Sequence, residues 1–375
     1  MKFFLRIFFI TLITFFLTAD YRPAVQAAGW TGQSLVEALR IKGHLTFCGE
    51  SVPLKEPDVR EGLETEMLVS LDNSDDVILW LKRSSRYFPY IEKTLKENSL
   101  PDDLKYIVIV ESSLKPRAYS SKGAAGFWQF IEKTGSRYGM KIDKETDERR
   151  NFFASTQAAI AYLKDLYAIF GSWTLATAAY NMGEDGLKTE MLMQRVNDYY
   201  HLYLNQETQR YVFKILAAKL ILSDPARYGF TLTDDDLYKP KEFDSVELKV
   251  AEPVPLHIIA SAANTYFKVI KELNPQVKNY NLPAGKHTVL IPRGEGKGFQ
   301  DRFDNLLKQW KEGKGKSVYT VEKGDNLSGI AKRFNVSIKA IMNWNGLTNS
   351  KHVNPGDKLL IFTDTGISDQ PDGKS

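Results

Sequence analysis

Three clusters of side chains could do chemistry together. The first is Glu111, which closes the mostly apolar run Tyr106 to Val110 and precedes Ser112 and Ser113. A carboxyl at the edge of an apolar helix is partly desolvated. Its pKa rises, and it can stay protonated near neutral pH, as a general acid must. Taken alone, Glu111 reads first as a residue that caps or salt-bridges a helix end. The second cluster is Ser120-Ser121-Lys122-Gly123-Ala124-Ala125-Gly126-Phe127-Trp128-Gln129-Phe130, a hydroxyl- and glycine-rich turn that leads into aromatics and an amide. The third is Ala179-Tyr180-Asn181-Met182-Gly183, a phenol and an amide at a helix end. Hydroxyls, amides and aromatic faces suit a groove for sugars, which present hydroxyls and apolar ring faces.

Helices must position these groups. Pro101, Asp102 and Asp103 open a helix through Leu104, Ile107 and Val108 that should end before Pro116, with Glu111 at its C-terminal end. Upstream, Tyr87, Phe88, Ile91 and Leu95 recur at helical spacing. Downstream, the pattern predicts helices from Asn151 to Phe170, from Trp173 to Asn181 and from Glu207 to Leu222. Gly171, Gly183 and Pro225 are their stops, Gly183 as a left-handed cap. Residues 28–84 read as a mixed segment: weakly helical at Leu35 to Leu39, irregular from Phe47 to Pro57, helical again from Met67 to Arg83. Residues 85–230 then form the helical domain that carries all three clusters.

The texture changes after that domain. Asp234 to about residue 241 reads as a linker. Residues 246–292 and 318–363 each read strand, helix, helix, strand, and look like degenerate copies of one unit. Leu273-Asn274-Pro275 in one matches Asn343-Trp344-Asn345 in the other. Residues 293–317 read as a linker around an amphipathic piece, Phe299 to Trp310, and 364–375 as a polar disordered tail.

Composition bounds the function. The 375 residues carry 50 basic and 46 acidic side chains, net +4. That balance is too weak and mixed for nucleic acid as the main partner. The five histidines, at 44, 201, 257, 287 and 352, show no metal-ligand spacing, and Cys48 is the lone cysteine, so neither a metal nor a disulfide is expected. Lys2 and Arg6 before the apolar run Ile7 to Ala19, then Val25-Gln26-Ala27, form the pattern of a secretory leader over 1–27. Export to the periplasm or cell envelope follows. Membrane association and oligomeric state stay open.

Glu111-Ser112, Gly126 to Gln129 and Ala179-Tyr180-Asn181 occur in the order and at the spacing of the lytic transglycosylases with a lysozyme-like catalytic domain, which this region resembles. The subgroup it most resembles is that of the membrane-bound lytic murein transglycosylases D. The resemblance implies that Glu111 is the catalytic acid and base. It also implies that Ser112, Ser120, Gln129, Tyr180, Asn181 and, in Gln209-Arg210-Tyr211-Val212, Tyr211 line a glycan groove. One departure is Phe127-Trp128, where many relatives outside the subgroup have Leu-Met. A second resemblance, to a LysM module, rests on Tyr319 to Leu327, Ile330-Ala331, Asn343 to Leu347 and Pro355 to Leu359. It implies glycan contacts from Gly324, Asp325, Asn326, Leu327, Asn354 and Pro355.

The fold expected is therefore mainly α: a lysozyme-like helical catalytic domain followed by small βααβ modules of α+β character. The implied reaction is non-hydrolytic cleavage of peptidoglycan glycan strands to 1,6-anhydromuramoyl ends, without metal or cofactor. A muramidase-type hydrolase on the same fold, and a non-catalytic wall-binding protein, remain the alternatives.

Overall fold

The computed structural model describes residues 32–41, 43–312, 316–345, 347 and 353–362. The leader expected over 1–27 and the tail over 364–375 lie outside the described residues. Residues up to Ile41 form one unit, whose described helix α1 (Gly32–Leu39) covers the weak helical signal. The elements below belong to the second unit, Lys42–Ser375.

That unit opens with a hairpin where an irregular stretch was expected. β1 (Thr46–Phe47) pairs antiparallel with β2 (Glu50–Ser51). Cys48 and Gly49 turn the corner with φ of +53° and +86°, the sense of turn that matches strand twist. α2 (Pro57–Asp72) starts on Pro57, whose fixed φ suits a first helical turn. α3 (Ser74–Glu97) follows at once, so the boundary expected at 84/85 falls inside a helix. The real break is Asn73. Its amide donates back to the Val69 carbonyl at 2.7 Å and closes α2, while Asp75 and Asp76 favour a fresh N-terminus.

The acid-bearing segment comes in two pieces, a 3-10 turn at Asp102–Tyr106 and then α4 (Ile107–Ser112). α4 stops because Ser113 and Leu114 both take positive φ, +50° and +58°. After α5 (Glu132–Arg137) comes α6 (Phe152–Phe170). The Asn151 side chain caps it, accepting from the Phe153 and Ala154 N–H groups at 3.0 Å each. Gly171, at φ +67°, ends it. α7 (Trp173–Met182) ends at Gly183, whose φ is positive at +90° but whose ψ of 145° takes it out of the left-handed helical cap expected. The chain enters α8 (Glu184–Gln194) directly. Only Leu187 of α8 is buried, so no apolar stripe announces this helix in the sequence. α9 (Gln206–Ser223) is capped by Asn205, which accepts from the Thr208 N–H at 3.0 Å. α2, α4 and α7 pack on α9, and α6 on α7. Val108, Leu163, Ala176 and Leu216 are fully buried among them.

Next, β3 (Phe243–Val250) starts three residues before the strand expected at Val246. It is followed by β4 (Val254–Pro255), α10 (Leu256–Ala262), α11 (Phe267–Leu273), β5 (Asn281–Leu282) and β6 (Gly285–Pro292). β3 pairs with β6 and β4 with β5, both antiparallel. α12 (Phe299–Lys311) occupies the stretch expected as a linker. Phe299 and Phe303 are buried in the same core as Leu256 and Ile259, so α12 completes this unit rather than tethering the next. The last unit is β7 (Lys316–Thr320), α13 (Leu327–Arg333), α14 (Ile338–Trp344) and β8 (Lys358–Phe362), with β7 antiparallel to β8.

The two βααβ units share an asparagine clamp. Asn274 donates to the Ile270 and Leu290 carbonyls at 2.9 and 2.7 Å and accepts from the Leu290 N–H at 2.9 Å. Asn345 donates to the Ile341 and Leu360 carbonyls at 2.8 Å each and accepts from the Leu360 N–H at 2.7 Å. Asn264 and Asn335 likewise share positive φ, +46° and +53°. Asn274 thus corresponds to Asn345, at the end of the matched triplet. The first unit is seamed to the helical part. Asp147 N–H donates to Gln276 O and Lys278 N–H to Glu145 O, both at 2.8 Å.

Candidate active site

Glu111 lies in the last turn of α4, partly buried, and accepts a hydrogen bond from the Tyr211 hydroxyl on α9. Burial pushes its carboxyl up to about 7. Tyr211 and the Lys214 charge pull the other way, and the Glu207 charge adds to the rise. The phenols of Tyr180 and Tyr211 are held well above the usual range, first by burial and then by the Glu111 charge. Both therefore stay protonated donors. Tyr180, on α7, gives its hydrogen bond to the Trp128 carbonyl at 2.7 Å. The three motif regions thus converge: α4 supplies the acid, α9 its donor, and α7 a phenol bonded to the glycine-rich turn.

That turn is held from beneath. Arg149, 5% exposed, pairs with Asp147 at 2.8 Å. It donates to the Gly123 and Phe130 carbonyls at 2.8 and 3.1 Å. Gly126 is obligatory: at φ +79° a Cβ would stand 1.8 Å from the Arg149 carbonyl oxygen. Gln129, itself at φ +48°, donates to Gly126 O at 2.7 Å. Trp128 is fully buried and donates to Thr156 Oγ1 at 3.0 Å. Ser120 Oγ accepts from the Ala124 N–H at 3.0 Å, so it closes the turn.

Ser112 departs from its expected role. It is 7% exposed, and its hydroxyl points inward to the Phe127 carbonyl at 2.7 Å. It ties the Glu111 helix to the turn and does not face a ligand. Tyr211, expected in the glycan groove, is a packed aromatic at 3% exposure whose hydroxyl is directed at Glu111.

Several residues of the site escaped the sequence reading. Glu207 pairs with Lys122 at 2.9 Å and accepts from Asn181 Nδ2 at 3.4 Å. Asn181 Oδ1 in turn accepts from Thr208 Oγ1 at 2.7 Å. Lys122 and Asn181 hold the Glu207 carboxyl below its usual range. Its spacing of four from Tyr211 on α9 is the signal that could have found it, since such residues share a helix face. The N-terminal segment also matters. Glu50 accepts from the Trp173 N–H, and from the Thr174 N–H at 3.0 Å, so it caps α7. Glu66, 2% exposed, binds Arg210, the neighbour of Tyr211, through Nε and through Nη2 at 3.2 Å.

In the C-terminal unit, the loops holding Gly324 to Asn326 and Asn354-Pro355 lie side by side. Val321 N–H donates to Asp357 O and Gly356 N–H to Val321 O, both at 2.8 Å. Asp325 accepts from the Glu322 N–H at 2.9 Å, and Asn326 caps α13 through the Gly329 N–H at 2.9 Å. Gly324 sits at φ +96°. Leu327, expected among the glycan contacts, is 1% exposed and belongs to the core with Ile330 and Ile361; burial removes it from that role.

Residues 88–201 match the transglycosylase SLT domain, and residues 319–362 the LysM domain. The chain carries an SLT transglycosylase domain and a LysM domain. The SLT domain holds Glu111, the glycine-rich turn and Tyr180-Asn181, while Glu207 and Tyr211 come from beyond its matched edge. The membrane-bound lytic murein transglycosylase D of Escherichia coli strain K12 is 35% identical over 293 residues, 74% of this chain and 64% of that protein. The same protein from an O6:H1 strain matches equally. The chain thus spans 64% of the length of these relatives. A solved structure, an inactive mutant of the lytic transglycosylase Slt from Pseudomonas aeruginosa, aligns at 15% identity with a TM-score of 0.30, covering 58% of this chain and 41% of that one. Among the described residues, no helix is long and apolar enough to cross a membrane.

Proposed function

We propose that this chain is a peptidoglycan lytic transglycosylase of the cell envelope, with Glu111 as acid and then base. The observation that carries this reading is the Glu111 carboxyl, pushed up to about 7 by burial and addressed by the Tyr211 hydroxyl. A carboxyl poised there is protonated in part at neutral pH and returns readily from its ionised form.

Glu111 donates its proton to the glycosidic oxygen between N-acetylmuramic acid and N-acetylglucosamine, and the C1–O bond breaks. The substrate's 2-acetamido oxygen stabilises the electron-poor C1. The Glu111 carboxylate then takes the proton of the C6 hydroxyl, whose oxygen bonds to C1. Glu111 ends as it began, no water is consumed, and the product is a 1,6-anhydromuramoyl end. Tyr211 steadies the carboxylate between the two steps. Gln129, Tyr180 and Asn181 border the glycan, and the loops at Gly324 to Asn326 and Asn354-Pro355 hold the enzyme on wall glycan.

Glu207 favours a second reading, a muramidase, because its charge reaches Glu111. In such hydrolases a second carboxylate activates water or attacks the sugar. Glu207 is instead tied to Lys122 and Asn181, which weakens it as a base. Turbidity clearing of purified sacculi tests the proposal. The chain should clear them and Glu111→Gln should not; clearing by both would remove Glu111 from the chemistry. No clearing by the unaltered chain would favour a wall-binding protein without activity.

A further inference from the structure

Beside the glycine-rich turn lies a cavity of about 430 Å³, between the SLT domain and the first βααβ unit. That is within the roughly 300–1,000 Å³ of small-molecule sites. Its wall is aromatic. Tyr87, Phe127, Phe152, Phe153 and Phe243 form an unbroken chain of ring contacts, with successive centroids 4.9, 5.0, 5.3 and 5.4 Å apart. The charges on its lining are Arg83, Arg86, Arg117 and Lys241 against one acid, Glu272.

Three of these cations already have partners. Arg83 donates to the Ser113 carbonyl at 3.0 Å. Arg86 donates to the Lys239 carbonyl at 3.0 Å and lies over the Tyr238 ring. Lys241 stands 3.4 Å from Glu272. Arg117 is exposed and has no hydrogen-bond or ion-pair partner among the described residues. Its charge is felt nearby. Burial first, then the Arg117 and Arg150 charges, push the Lys271 ammonium down to about 8. A cation would be repelled here. A sugar would leave most of its hydroxyls unpartnered against the rings.

We propose that this cavity binds an amphiphilic carboxylate, with its acyl or aryl chain among the rings and its carboxylate toward Arg117. The site is separate from the Glu111 groove but touches the back of the same turn. Phe127 and Leu114 line the cavity; the Phe127 carbonyl accepts from Ser112, and Leu114 follows directly on the α4 stop.

Calorimetric titration of the whole chain with dodecanoate, below its micelle concentration, tests this. Saturable one-to-one binding is expected, with dodecanol at least about tenfold weaker, the scale of losing one charge-assisted contact. Arg117→Glu, at an exposed position, should weaken dodecanoate about fivefold, as for a partly solvated ion pair. Leu273→Trp, which adds ring bulk to the lining, should abolish it. No saturable heat with the unaltered chain, or unchanged affinity in Leu273→Trp, would overturn the site. Unchanged affinity in Arg117→Glu, or equal binding of dodecanol, would overturn its assignment to carboxylates.

Discussion

The Tyr211 hydroxyl donates to the Glu111 carboxylate across the α4–α9 contact, joining two residues 100 positions apart. The bond stabilises the ionised form, so it opposes the rise that burial causes. Activity should fall as pH rises through about 7, where the acid loses its proton. In Tyr211→Phe the limb should move up by roughly half to one pH unit, the equivalent of one hydrogen bond. A pH–rate profile on sacculi reads both. A downward movement would show that Tyr211 does not act on the carboxylate.

The same burial sets a stability signature. The folded-state pKa, about 7, stands above the ordinary 4.5. Between those values the folded protein holds more proton than the unfolded chain, so this group erodes stability as pH rises through that window. Glu111→Gln removes the penalty. The variant should be more stable than the parent above pH 7 by at most about 3 kcal/mol, and no different below pH 4.5. Urea melts at several pH values test this; a gap that does not depend on pH would contradict it.

Glu50 and Glu66 explain why residues ahead of the SLT domain matter to its site. Glu50 caps the helix whose far end carries Tyr180 and Asn181. Glu50→Ala should cost about 1–2 kcal/mol, as lost caps do. Glu66→Ala should cost about 2 kcal/mol, below a fully buried pair because Arg210 is 39% exposed. Both should also lower cleavage, by disturbing α7 and the Tyr211 segment. Full activity in either variant under stabilising conditions would reduce these contacts to fold support alone.

Gly126→Ala should destabilise by about 2–5 kcal/mol, combining a strained φ with overpacking against the Arg149 carbonyl. Thermal melts read the loss. A near-neutral result would mean that the turn can move away from Arg149, and with it Gln129.

Much of this was legible because helix stops and caps are local. Gly171, Asn151 and the Pro101 entry act within one turn of chain, and the helices beside them follow. The convergence of Glu111, Tyr180 and the glycine-rich turn was legible only through motif order. What stayed hidden depends on tertiary partners. The amphipathic piece Phe299 to Trp310 reads as part of a linker until Phe299 and Phe303 of α12 meet the core of the first βααβ unit. Ser112 reads as a groove hydroxyl until the Phe127 carbonyl turns it inward. Glu50 and Glu66 carry no local signal of their roles, because their partners lie 122 to 144 residues away.

The most direct test of the central claim is mass analysis of the muropeptides released from purified sacculi. The account predicts fragments one water lighter than their hydrolytic counterparts, ending in 1,6-anhydromuramic acid, and none from Glu111→Gln. Fragments with reducing muramic acid ends would contradict it and return the site to the hydrolase reading, with Glu207 as its second carboxylate.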